Sequence, residues 1–148
     1  MIDNFRGKYY FLSNFYNAPV EYEGILYTNN EAAFQSAKLK NKNLRTNYIH
    51  NGMKYNFATL DPSTAKKFGR HLNLRSDWEE VKFDIMYELV YDKFNRNQKL
   101  RQKLLLTDNE ELVEGNTWGD RIWGKCNGKG QNNLGKILMR VREELRNQ

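Results

Sequence analysis

A single cysteine, Cys126, stands in a chain of 148 residues, so no internal disulfide is available to it. Histidine is nearly as scarce. His50 and His71 are the two present, and with one thiol they are too few for a zinc site built of thiolates and imidazoles. Carboxylate sites for Mg²⁺ or Ca²⁺ stay open on these grounds. Apolar runs such as Leu104-Leu105-Leu106 are far too short to span a bilayer. No cationic, apolar signal segment opens the sequence, and the expectation is a soluble, cytoplasmic protein with no membrane partner. Proline is limited to Pro19 and Pro62, and no repeat or low-complexity tract appears. One domain over residues 1–148 is therefore expected.

What is present points to a packed interior. Aromatic residues make up 14% of the chain and hydrophobic ones 39%, more than a disordered chain carries. The formal net charge of +6 favours anionic partners such as phosphates, nucleotides or nucleic acid. Lysine and arginine interleave with acidic residues instead of forming a basic block, so a solvated surface accounts for many of them.

Local patterns give the elements. Residues 9–12, Val20–Tyr22 and Ile25–Thr28 read as short strands, the last two flanking a Glu23-Gly24 hairpin turn. Thr28 and Glu31 have capping-box spacing, which predicts a helix running to about Lys40. A second helix is expected over Leu44–Lys54. A third starts at Asp61-Pro62, with aspartate as cap and proline in the first turn, and ends near Gly69. Ser76 and Glu79 repeat the capping pattern, and Trp78, Val81, Ile85, Met86 and Leu89 follow at helical spacing through Phe94. Leu100–Leu106 reads as a short helix and Leu112-Val113 as strand. Residues 115–130 read as a long loop. The final helix, Asn133–Arg146, buries Leu134, Ile137, Leu138, Val141 and Leu145. The fold class is α+β, helix-dominated, with a small antiparallel sheet.

Two stretches could carry chemistry. In EAAFQSAK, residues 31–38, a turn of about 100° per residue puts Glu31, Gln35 and Lys38 on one helix face, beside Phe34. A carboxylate, an amide and an amine on an otherwise apolar helix describe a polar pocket wall. The plain alternative is a capping glutamate and two solvated polar side chains. The second stretch, residues 115–135, holds six glycines, with Trp118 and Trp123 as stacking faces and Asp120 between them. Its backbone N–H groups near Asn132 could hold a phosphate. It matches neither the P-loop nor the dinucleotide fingerprint, and a structural Ω-loop whose tryptophans plug the core is the competing reading. Isolated His50 and His71 supply no argued general base. Ser13 lacks a His–Asp pairing, and Cys126 reads as structural.

These motifs resemble those of the NADAR superfamily, nearly end to end. FLSNFY at residues 11–16, including Asn14 and Phe15, is similar to its opening motif. Glu31, Phe34, Gln35 and Lys38 match E-x-x-F-Q-x-x-K; Gly69-Arg70, Trp78 and Lys82 match its middle. LVE at 112–114 precedes the closing motif. Asp120, Trp123 and Gly124 then fit D-x-x-W-G, and Gly130, Asn132, Leu134-Gly135 and Leu138-Met139 fit G-x-N-x-L-G-x-x-L-M. The chain departs from the pattern in a shorter segment between Trp123 and Asn132 and in an added Trp118-Gly119.

The resemblance implies an N-glycosidase that separates ribose C1 from an exocyclic amine, without a cofactor or metal. Its substrates would be ribosylamino-pyrimidine phosphates of riboflavin synthesis or ADP-ribosylated guanine in DNA. It implies Glu31, Lys38 and Asp120 as catalytic. Lys38, if neutral, would attack C1, Glu31 would stabilise the cation or move protons, and Asp120 would orient ribose hydroxyls or act as a second acid–base group. Trp123 would stack on base or ribose, and Arg70 and Lys82 would bind phosphate. Asn14, Phe15, Phe34, Gln35, Trp78, Gly124 and Asn132 complete the implied binding set. A non-catalytic nucleotide- or nucleic-acid-binding module is the alternative from a different class.

Overall fold

The computed structural model describes residues 1–148, and its Cα packing divides them into two compact units. One is Asn14–Arg96; the other joins Met1–Ser13 to Asn97–Gln148. Six α-helices and three two-stranded sheets make the class α+β, as expected.

In the unit Asn14–Arg96, β1 (Asn17–Tyr22) and β2 (Ile25–Asn29) form an antiparallel hairpin. Glu23 and Gly24 turn it with φ of 48° and 83°, the left-handed pair that a two-residue turn needs. Ala18, Val20 and Tyr22 alternate inward along β1. Helix α1 (Asn30–Ser36) follows without a connecting loop. Its cap is Asn29, not Thr28: Asn29 is extended, and its Oδ1 accepts from Ala32 N at 2.8 Å. Every residue of α1 is buried, and it packs on β1, β2 and two helices of the same unit, α3 (Pro62–Gly69) and α4 (Trp78–Arg96).

Between α1 and α3 the structure departs from the expectation of one helix over Leu44–Lys54. A single turn, α2 (Lys42–Thr46), gives way to a second hairpin, β3 (Tyr48–His50) and β4 (Met53–Tyr55). The cause is Asn51-Gly52, with φ of 50° and 79°; this dipeptide is the strongest short hairpin signal and outweighs the apolar spacing around it. Asp61 caps α3 as read, its Oδ2 accepting from Thr64 N at 3.0 Å.

In the other unit, residues 9–12 lie inside a 3-10 helix, Gly7–Leu12, and are not a strand. The chain enters it through Gly7 at φ 58° and buries the neighbouring Phe11 and Leu12 together, without the alternation of a strand. Helices α5 (Gln98–Leu105) and α6 (Asn133–Arg146) pack together, and α6 buries the five apolar residues expected of it. Leu112 pairs in parallel with Ile2 by a single bridge. The loop carries a parallel pair, β5 (Gly115–Asn116) and β6 (Lys125–Cys126). The small sheet is thus three separate ribbons, one of them parallel. No helix is long and apolar enough to cross a membrane.

Candidate active site

The polar face of α1 starts at the hairpin. The Asn14 carbonyl accepts from Glu31 N at 3.0 Å, satisfying a first-turn N–H that no helical partner can take. Asn14 also accepts from Asn30 Nδ2 at 3.4 Å and reaches the Met86 sulfur at 3.5 Å. Asn14 therefore ties the start of α1 to α4. Glu31 is 9% exposed, and its Oε2 accepts from Gln35 Nε2 at 2.6 Å, one helical turn on. Burying a carboxylate is costly unless donors meet it, and the Gln35 amide is such a donor.

Lys38 is placed differently from the expectation. Helix α1 ends at Ser36, so Lys38 lies in the turn beyond the C-cap Ala37 and not two full turns along a helix. Ser36 Oγ bonds back to Ala33 O and across to the Tyr27 hydroxyl, and the Lys38 and Leu39 N–H groups bond to Gln35 O and Ser36 O in tighter i→i−3 fashion. Arg75 N holds the Lys38 carbonyl at 2.9 Å and so anchors that turn. The half-buried side chain returns toward α3: Lys38 Nζ donates to Gly69 O at 3.4 Å and lies 5.9 Å from the Trp78 ring centre. Burial pushes the Lys38 pKa down; Glu31 opposes the shift by attraction, and Arg70 adds to it by repulsion.

Phe34 and Trp78, centroids 5.0 Å apart and both buried, form the apolar flank of this group. Gly69 faces Gln35 so closely that a Cβ on it would overlap Gln35 Oε1 and lie 2.5 Å from Cδ. Glu31, Phe34, Gln35, Lys38, Gly69 and Trp78 are thus brought together, with exposed Arg70 near enough to act on Lys38. Phe15 meets Lys66, whose Nζ is 5.8 Å from its ring centre, while Lys82 bonds Glu79 on α4 and overlies Phe83. Two contributions escaped sequence reasoning: the Asn14 carbonyl and the bare Cα of Gly69. Backbone atoms and missing atoms leave no periodic signal.

The remaining implied residues lie in the unit formed by the chain ends. Asp120 Oδ1 accepts from Ile122 N at 3.1 Å and Trp123 N at 2.9 Å, closing an Asx-type turn. Asn116 holds both backbone polar groups of Asp120. Gly124 has no room for a side chain, since a Cβ would overlap the Glu114 carboxylate and carbonyl. Buried Asn132, at φ 55°, accepts from Glu114 N and donates to Leu112 O, both at 2.9 Å. Both shape the loop from within. Trp123 is half-buried, whereas Trp118 is 58% exposed and does not plug a core.

Comparison with known proteins identifies the family of the chain. The family model of the NADAR domain matches residues 3–146. The chain is 35% identical over 136 residues to the N-glycosidase YbiA of Shigella flexneri serotype 5b, covering 90% of this chain and 79% of that one. It is 32% identical over 138 residues to a riboflavin biosynthesis protein of Vibrio vulnificus, covering 91% of this chain and 35% of that one. The solution structure of Escherichia coli YbiA superposes with a TM-score of 0.80 at 31% identity, over 99% of this chain and 87% of the other. With its motifs in order, its fold shared and the family model spanning it almost end to end, this chain belongs to the NADAR family.

Proposed function

We propose that this chain is an N-glycosidase that cleaves the bond between ribose C1 and an exocyclic amine of a nucleobase-like ring, with residues 1–148 acting as one NADAR domain. The observation that carries the reading is the pairing of a buried carboxylate, held by Gln35, with a lysine whose ammonium form burial disfavours. Cleavage leaves positive charge on C1 and requires a proton on the departing amine. Glu31 stabilises that charge and moves the proton. Neutral Lys38 attacks C1 as the amine leaves, giving an imine with the opened sugar that water hydrolyses to free ribose and the regenerated lysine. Trp78 and Phe34 keep water from the lysine, and Arg70 takes a substrate phosphate.

Ribosylamino-pyrimidine phosphates are the first substrate class, in keeping with the name of the Vibrio relative. ADP-ribosylated guanine in DNA is the second, favoured by the net charge of +6. Both chemistries belong in the cytoplasm. The test is direct: purified protein is incubated with each substrate, and released base and sugar are separated by chromatography. Borohydride should trap the sugar on Lys38, read as a mass increment on the peptide that contains it. Release from neither substrate, with binding retained, would make the chain a binding module.

A further inference from the structure

Glycine at position 69 needs a reason. It is the last residue of α3, where glycine commonly serves a left-handed cap, yet Gly69 is not among the positive-φ glycines. Alanine would suit this backbone and would favour the helix by about 1 kcal/mol. What alanine does not fit is the space. Gln35 Oε1 lies against the Gly69 Cα, buried and without a hydrogen-bond partner. Leaving a buried amide oxygen unpaired costs about 1–3 kcal/mol, so the amide is held here by something other than its own satisfaction. Its nitrogen end supplies the answer, the 2.6 Å bond to Glu31. The Gly69 carbonyl, meanwhile, accepts from Lys38 Nζ.

We propose that Gly69 is a positioning residue for the reacting pair, its bare Cα seating the Gln35 amide that aims Glu31 and its carbonyl steadying Lys38. The proposal rests on the N-glycosidase reading for its consequence in turnover, while the seating itself is independent of substrate. Adding one methyl at this position pushes Gln35 off its seat, takes the Gln35 hydrogen bond from the Glu31 carboxylate, and leaves the backbone of α3 undisturbed. Misplacing a reacting group by about 1 Å is enough to cost about 100-fold in rate.

The experiment compares wild type, Gly69→Ala, Gln35→Ala and the double variant. Gly69→Ala is expected to lower kcat about 10- to 100-fold with KM changed less than about threefold. The double variant should turn over like Gln35→Ala alone, because the methyl has no amide left to displace. It also has room for that methyl, so it reports even where the single variant folds poorly. Carbon-13 NMR titration of the Glu31 carboxyl needs no substrate. Its midpoint should move upward in Gly69→Ala and in Gln35→Ala alike, since each removes the donor that favours the charged form. Full kcat in Gly69→Ala, independent losses in the double variant, or an unmoved Glu31 titration would overturn the proposal. If wild type releases no base from either substrate, the N-glycosidase reading fails, and the NMR arm still decides the role of Gly69.

Discussion

Gln35 donates to Glu31 across one turn of α1 at 2.6 Å, so the buried carboxylate is held by a residue of its own helix. Glu31→Gln keeps the shape of the site and removes the charge. We expect kcat to fall by about 100-fold or more while the thermal midpoint changes by less than a few degrees. Steady-state kinetics alongside calorimetry checks both halves, and retained turnover would remove Glu31 from the mechanism.

Lys38 must be neutral to attack. Its ammonium form is disfavoured by burial and by Arg70, against the attraction of Glu31. Activity is therefore expected to rise with pH as Lys38 loses its proton, at a lower pH than for a solvated lysine. Arg70→Gln removes a repelling charge, so the Lys38 pKa rises, the ascending limb moves to higher pH, and activity at neutral pH falls. Profiles of kcat/KM against pH for the two proteins test the sign; a limb that moves down would contradict it.

Lys93, on α4, is fully buried, with Nζ 5.6 Å and 5.1 Å from the Tyr16 and Phe94 ring centres, and burial lowers its pKa from 10.5 to about 7. Between those values the unfolded chain binds the extra proton, so this residue makes stability rise with pH across that window; below it, both states are protonated and the burial cost is complete. Lys93→Met is expected to stabilise the protein by about 1–4 kcal/mol near pH 6 and by less near pH 9. Urea midpoints at the two pH values measure this. Equal gains at both would assign the effect to packing alone.

Gly52, at φ 79°, turns the β3–β4 hairpin in open space. Gly52→Ala should cost about 1 kcal/mol through the left-handed backbone alone. Turnover should be unchanged. Chemical denaturation with a parallel activity assay checks it; a loss of activity without a loss of stability would place this hairpin in the site.

Much of this architecture could be read from residue order. Helix α6 emerged with its five buried positions because Leu134, Ile137, Leu138, Val141 and Leu145 keep helical spacing without interruption. Asp61-Pro62 marked α3 because both residues have local physical reasons to be there. The Leu44–Lys54 segment reads as a helix, yet Asn51-Gly52 within it adopts the left-handed pair of a hairpin turn, and that local preference decides its structure. Residues 9–12 look strand-like by composition, and only the left-handed entry at Gly7 reveals the 3-10 turn. At the site, Glu31, Gln35 and Lys38 were legible as polar residues at helical intervals. The early end of α1 was not, because it depends on the Ser36–Tyr27 contact and on Arg75 holding Lys38, which join distant parts of the sequence. Asp120 and Asn132 stood out as motif residues, but sequence does not distinguish a carboxylate awaiting a sugar from one closing a turn.

Asn29 is at once the last residue of β2 and the cap of α1, leaving no slack between the ribbon and the helix. One residue gained or lost there would spin the helix by about 100° and carry Glu31 away from its neighbours. Exchanging side chains in this stretch leaves the helix where it is, whereas a change of length re-aims every residue it carries.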